Sequence, residues 1–104
     1  MIKMIAFYHN KPGAWFNHEY YAGKHADMVH RLLKPMGLIK FEVSQGTSGL
    51  DPKSPPPYLT VASVTFETEK ALRTAFDKHK DELLADVPNF TNLQPELQIC
   101  KVLL

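Results

Sequence analysis

The spacing of apolar side chains divides the first half of the chain into three elements. Residues 2–8 (IKMIAFY) are dense in apolar and aromatic side chains, which predicts a strand covered on both faces. From Trp15 to about Leu33, apolar residues recur at intervals of three and four, the period of an α-helix. This period places one set of side chains on the inner face of the helix: His18, Tyr21, Ala22, His25, Met28, Val29 and Leu32. It places a second set on the outer side: Glu19, Tyr20, Lys24, Asp27 and Arg31. Residues 38–45 (LIKFEVSQ) alternate apolar with polar side chains, which is typical of a half-buried strand.

The second half of the chain predicts three more elements. Residues 58–66 (YLTVASVTF) are rich in β-branched and aromatic side chains and form a third strand. Thr68 is the predicted N-cap of a second helix that ends near Ala85. Residues 97–103 form a last strand. Between the second and third strands, the Pro-, Gly- and Ser-rich residues 46–57 predict a loop.

The element order β-α-β-β-α-β predicts an α+β, ferredoxin-like fold. With right-handed crossovers it gives a four-stranded antiparallel sheet with two helices on one face. A chain of this length fits one domain, residues 1–104. Because the helices cover one face only, apolar side chains on the open face need a partner. Face-to-face pairing of two sheets in a homodimer is the simplest solution.

Charge, cysteine content and the lengths of apolar runs indicate which partners and which cellular compartment to expect. The net charge is +1, and Lys and Arg are interleaved with Asp and Glu, so we expect no nucleic-acid partner. The single cysteine, Cys100, suits a reducing compartment. The first residues lack a signal-peptide pattern and no apolar run has transmembrane length, which predicts a cytoplasmic protein without a membrane partner.

Four segments resemble the EthD family of the dimeric α/β-barrel superfamily. They are MIKMIAFY followed by KPG, YYAGKHADMV, PPYLTVASVTFETEKAL and ADVPNFTN. One departure is Asp27, which stands where the family usually has a proline two residues after the helical histidine. The resemblance implies a dimeric α/β barrel with a pocket between helices and sheet in each subunit.

The resemblance also implies a function class. The pocket would bind a small hydrophobic or aromatic molecule, with cofactor-free acid/base catalysis of the lactone isomerase, cyclase or decarboxylase type in a degradation or biosynthetic pathway. Two alternatives stay open: a non-catalytic accessory or ligand-binding protein, and a cofactor-free monooxygenase. Whether the protein is an enzyme is therefore open at this point.

The residues that could carry out acid/base chemistry are His25 and Asp86. His25 lies on the apolar face of the first helix beside Tyr21, where an imidazole can exchange protons near neutral pH. A core histidine bonded to a carbonyl explains the same position. Asp86, in the ADVPNF segment, could orient His25. It could also cap the turn at Pro88 and Asn89, the role we favour, and the two are compatible.

Aromatic and sulfur-containing side chains suggest the ligand-binding residues, although core packing explains some of them equally well. The predicted set is Tyr8, Trp15, Tyr21, Met28 and Phe90. Metal binding is not predicted, because His18 and His25 are seven residues apart, about 10 Å along a helix. No phosphate-binding loop, serine elbow or metal-ligand cluster indicates a cofactor.

Overall fold

The computed structural model describes residues 1–104 and contains four strands, an interrupted first helix and a long second helix. The strands are Ile2–His9 (β1), Lys40–Gln45 (β2), Tyr58–Phe66 (β3) and Glu96–Lys101 (β4). The helical elements are His18–Tyr20 (α1), the π turn Tyr21–His25, Ala26–Leu33 (α2) and Glu69–Ala85 (α3), with short 3-10 turns at Lys34–Met36 and Val87–Asn89.

The four strands form one antiparallel sheet in the order β2-β3-β1-β4. The first strand is central, so Ile5 lies opposite Ser63 of β3 and Gln98 of β4. The element order and sheet order confirm the predicted α+β, ferredoxin-like fold, in which each crossover places a helix on the same face.

Strict alternation along the strands separates a covered face from an open face. Every second residue of β3 from Thr60 to Phe66 is buried beneath the helices. The register places Ile5, Phe7 and Val61 on the opposite side, which we call the open face. These three side chains are half-buried, although no helix covers them.

Two clusters of buried side chains fill the space between the sheet and the helices. The helix cluster lies against α2 and α3 and contains Val29, Leu33, Leu38, Val64, Phe66, Leu72, Ala75 and Leu83. The ring cluster lies near the chain turn that follows α3 and contains Tyr8, Tyr21, Ala62, Phe90 and Leu93.

The first helical segment differs from the prediction at its start and in its period. It begins at His18 rather than Trp15, because the Asn17 side chain accepts a hydrogen bond from the Tyr20 N–H and caps the helix there. The segment then widens into a π turn, in which the Ala26 N–H donates to the carbonyl of Tyr21, five residues earlier.

This π turn changes which side chains are buried. Tyr21, His25, Val29 and Leu33 form a continuous buried line at intervals of four residues. The helical period of the sequence placed Ala22 on this face, but Ala22 is exposed. A regular α-helix would rotate residues four apart by about 40° relative to one another, and the wider turn counteracts that rotation.

The second helix and the final strand follow the prediction closely. Thr68 caps α3, accepting a hydrogen bond from the Ala71 N–H, and the helix ends at Ala85 as predicted. Strand β4 runs from Glu96 to Lys101, slightly earlier than expected. None of the helices combines the length and the apolar composition needed to cross a bilayer.

The loop predicted for residues 46–57 connects β2 to β3. A turn from Asp51 to Ser54 forms its tip, where the Ser54 N–H donates to the Asp51 carbonyl at 3.0 Å. Asn10, which follows β1, donates its backbone N–H to the Pro57 carbonyl at 3.0 Å. The loop is therefore joined by hydrogen bonds to the end of the central strand.

Candidate active site

The structure brings His25 and Asp86 together although they are 61 residues apart in the chain. His25 closes the π turn, and Asp86 is the first residue after α3. The Nδ1 atom of His25 lies 2.8 Å from the Oδ2 atom of Asp86, and both side chains are buried. Because the carboxylate accepts, it holds the proton on Nδ1 and leaves the lone pair on Nε2.

Asp86 accepts two further hydrogen bonds on its other oxygen. The Tyr20 hydroxyl and the Asn89 side-chain amide each donate to Oδ1 at 2.8 Å. Burial raises the pKa of this carboxyl, but the bonds from Asn89, His25 and Tyr20 together outweigh burial, so its pKa lies below the ordinary value. Asp86 is therefore ionised at neutral pH. It both contacts His25 and closes the turn to Asn89, so the two predicted contacts coexist.

His25 is neutral at neutral pH. Burial lowers its pKa, and the opposing effect of the Asp86 hydrogen bond and charge is smaller. The Nε2 atom bonds to no protein group. His79 Nδ1 is the only fully enclosed side-chain nitrogen or oxygen without a hydrogen-bond partner. It follows that Nε2 of His25 has accessible surface and is free to accept a proton.

Aromatic rings hold the imidazole in place. The Tyr21 ring stacks on His25, with centroids 4.8 Å apart and an interplanar angle of 28°. Phe90, which is fully buried, lies 4.8 Å from the His25 centroid and packs edge-on to Tyr21 at 4.7 Å. A ring held on two sides keeps one orientation, and a positioned general base needs such a constraint.

A cavity lies beside His25 between the helices and the sheet. Its wall takes side chains from both clusters, and 16 of its 19 lining residues are hydrophobic. The cavity volume is about 70 Å³, which is several times the roughly 10–15 Å³ that one water molecule needs. Leu84 and Leu97 line it while being 43% and 39% exposed, so the cavity opens to solvent between α3 and β4.

Two tyrosines are among the residues that line this cavity. Tyr8 and Tyr21 both line the cavity, and their hydroxyls are close enough to influence each other's ionisation. Burial raises the pKa of Tyr8 to about 12 and also raises the pKa of Tyr21. Both hydroxyls therefore remain protonated at neutral pH and can donate hydrogen bonds.

The remaining members of the predicted ligand-binding set lie outside the cavity wall. Trp15 is 47% exposed, and its backbone bonds to the side chains of Asn92 and Thr91. Met28 is half-buried and packs against the helix cluster. Phe90 lies behind the His25 ring and does not line the cavity. Of the five residues, Tyr8 and Tyr21 are the two that reach it.

His18, which the sequence places on the same helical face as His25, has a different environment. Its Nε2 atom lies 2.7 Å from the Thr60 hydroxyl and 3.1 Å from the Leu59 carbonyl. These contacts join the start of the first helical segment to β3. The structure contains no group of three or more His, Cys, Asp or Glu side chains that could hold a metal ion.

The sequence interpretation missed Tyr20 and the side chain of Asn89. Helical periodicity placed Tyr20 on the outer side of the first helix, yet its hydroxyl bonds to Asp86. Both residues belong to segments quoted for the family resemblance, the tyrosine pair and ADVPNFTN, and this was the available signal. Much of the cavity wall, including Phe41 and Leu97, was also missed, because it comes from distant strands.

Comparison with known proteins agrees with this fold. The EthD domain model matches residues 16–94. An EthD-like protein from Ralstonia eutropha JMP134 superposes with a TM-score of 0.91 and 29% identity, covering 99% of this chain and 92% of that protein. An ethyl tert-butyl ether degradation (EthD) family protein from Bacillus halodurans C-125 gives 0.69 and 15%, covering 99% of each chain.

More distant structures share the fold alone. A provisionally named antibiotic biosynthesis monooxygenase from Nitrosomonas europaea superposes with a TM-score of 0.59 and 17% identity over the full length of both chains. No curated protein matches the chain. Since the EthD model spans more than half of the sequence, including both His25 and Asp86, the chain belongs to the EthD family.

Proposed function

We propose that this protein is a cofactor-free acid/base enzyme that binds a small hydrophobic or aromatic molecule in the cavity beside His25. The observation that carries the proposal is the His25–Asp86 pair at 2.8 Å, in which Nε2 has no bonded partner and His25 lines an apolar cavity. Lactone isomerisation, cyclisation and decarboxylation, in a degradation or biosynthetic pathway, are the reaction types that such a group serves.

The chemistry follows from the protonation states of the pair. Neutral His25 accepts a proton from a bound carbon acid through Nε2, and the positive charge that forms on the ring is stabilised by the ionised Asp86. The imidazolium then returns the proton to another carbon or to a leaving oxygen. Asp86 acts through His25, so it is a positioning residue, and Tyr8 and Tyr21 can donate to an oxygen that gains charge.

The test replaces His25 with glutamine, whose amide can still donate to Asp86 and so keeps the buried carboxylate paired. His30→Gln is the matched control, because His30 is exposed on the same helix. Each protein is incubated with small aromatic compounds, lactones and short polyketide mimics, with thermal-shift measurement of binding and mass spectrometry of products. Trp15 fluorescence is a poor reporter, since this residue is away from the cavity.

Wild type and the His30 variant are expected to convert at least one compound that the His25 variant binds but leaves unchanged. Conversion at the wild-type rate by the His25 variant would exclude this residue as the base. Binding by all three proteins without conversion would favour the ligand-binding or accessory role over catalysis.

A homodimer paired through the open face is part of the same proposal. Ile5, Phe7 and Val61 form an apolar strip on a sheet face that no helix covers. Sedimentation velocity of wild type and Phe7→Asp tests it, with Leu50→Asp on the exposed loop as the control. The wild type and the Leu50 variant should sediment as dimers and the Phe7 variant as a monomer; a monomeric wild type would exclude the dimer.

The compartment in which the protein works is the cytoplasm in this proposal. The support is chemical: the chain carries one cysteine, Cys100, which is not paired with another thiol and is partly accessible. Such a thiol is stable in a reducing environment.

A further inference from the structure

The wall of the cavity contains no cationic side chain. Neither Lys nor Arg occurs among the residues that line it. All twelve Lys and Arg side chains are exposed except Lys3, which is half-buried and alternates toward the open face of the sheet, away from the cavity. A negatively charged ligand therefore finds no permanently charged cation inside and could be paired only if His25 took up a proton.

The charge nearest to the cavity is negative. Asp86 lies directly behind His25, and its carboxylate already receives three hydrogen bonds, from Tyr20, His25 and Asn89. A ligand carboxylate beside the His25 ring would place a second negative charge in an apolar surrounding. Unpaired charge in such a place is strongly unfavourable, and like charges raise the cost further.

The polar side chains of the cavity wall suit a neutral oxygen. They belong to Tyr8, Tyr21, His25 and Ser63. The two tyrosine hydroxyls lie close enough to bond to each other, which leaves one of their hydrogens to donate to a ligand, and His25 keeps a lone pair on Nε2. A carbonyl oxygen can accept from that hydroxyl, while a hydrogen on the adjacent carbon is acidic enough for a positioned base to remove. The base needs its lone pair, which a ligand carboxylate would remove by favouring the protonated ring.

From this charge distribution we infer that the site selects small neutral carbonyl compounds, such as ketones, esters or lactones, and rejects carboxylates of the same shape. The inference rests on the proposed function for the location of the site, and it names the class of substrate. It favours isomerisation or cyclisation of neutral lactones and ketones among the proposed reaction types, and it argues against decarboxylation, whose substrate is a carboxylate.

The first experiment compares three compounds of similar shape: phenylacetone, phenylacetamide and phenylacetate. Each is titrated at pH 7.5 into the wild-type protein and followed by two-dimensional 1H–15N NMR. The two neutral compounds should bind at least about tenfold more tightly than phenylacetate, because an unpaired buried charge costs more than the 1.4 kcal/mol that a factor of ten represents. Equal or tighter binding of phenylacetate overturns the inference, as does the absence of binding by all three.

The second experiment supplies the missing cation. Leu97 lines the mouth of the cavity and is 39% exposed, so Leu97→Lys can keep the fold while placing an ammonium group at the entrance. Leu50→Lys, on the fully exposed loop tip, is the matched control. The Leu97 variant should gain at least about tenfold in affinity for phenylacetate relative to phenylacetone, and the Leu50 variant should not. An unchanged ratio in the Leu97 variant overturns the inference.

A third readout separates this inference from the proposed catalysis. In deuterated buffer, removal of a benzylic proton of phenylacetone by His25 and return of a deuteron appears as loss of the benzylic 1H signal. Selective binding without exchange removes the catalytic proposal and supports charge selection. Exchange in the wild type together with equal binding of phenylacetate removes charge selection and leaves the catalytic proposal standing.

Discussion

The most informative perturbation is Asp86→Asn, which keeps the shape of the side chain and removes its charge. Tyr20 and Asn89 donate to one oxygen of Asp86, and His25 donates to the other. An amide offers one oxygen and one NH₂ group, so the group facing His25 becomes a donor. The imidazole can then pair with it only as an acceptor, which moves the ring proton from Nδ1 to Nε2.

The magnitude follows from the number of bonds that change. A hydrogen bond to a charged group contributes about 1.5–3 kcal/mol, against about 0.5–1.5 kcal/mol for a neutral bond. Three bonds to the buried carboxylate become neutral, and the tautomer change recovers part of the loss at His25. We therefore expect the free energy of unfolding to fall by about 2–4 kcal/mol, a large part of the stability of a domain of this size.

Two assays check this expectation. Urea unfolding gives the free energy, and long-range 1H–15N correlation spectra report which ring nitrogen of His25 carries the proton. Asp77→Asn is the matched control, because Asp77 is exposed on α3 and has no bonded partner, and its effect should stay within about 0.5 kcal/mol. Turnover should be lost in the Asp86 variant, since a protonated Nε2 cannot accept a proton.

An Asp86 variant with wild-type stability and an unchanged His25 tautomer would refute the reasoning. If the variant does not fold, Tyr20→Phe replaces it, since it removes one of the three donors and leaves the carboxylate. That variant should unfold at a lower urea concentration than the wild type, because the carboxylate loses one donor, and it should keep the proton on Nδ1.

Three further predictions concern stability. The pKa of His25 is lowered in the folded state, so as the pH falls the unfolded chain takes up a proton at this residue before the folded protein does. The melting temperature should therefore decrease as the pH drops below about 6.5. In a pH series, His25→Gln should weaken this dependence of melting temperature on pH, and His30→Gln should leave it unchanged. A Cβ at Gly46 would clash with a backbone carbonyl, so Gly46→Ala should cost about 1–3 kcal/mol in urea unfolding, whereas Gly23→Ala, with open space around it, should not destabilise. Phe90→Ala should cost about 3–5 kcal/mol by the same assay, because the ring is fully buried; a cost under 1 kcal/mol would show that neighbouring rings refill the space.

The order of elements and most of their boundaries could be predicted from sequence because they depend on local patterns. The β-branched and aromatic residues 58–66 match β3 to the residue, and Thr68 is the observed cap of α3. The π turn could not be predicted, since apolar spacing does not distinguish it from a regular helix. It decides that Tyr21 and His25 stack while Ala22 is exposed.

What the sequence by itself determined is the family, the fold and the two residues of the proposed acid/base pair, because these are carried by motifs and by hydrophobic period. What only the tertiary structure decided is how those residues meet. Long-range packing places Asp86 against His25, recruits Tyr20 from the side of the helix thought to face solvent, and leaves Trp15 outside. The cavity and its lack of cations are likewise properties of the space between distant segments, and no local pattern encodes them.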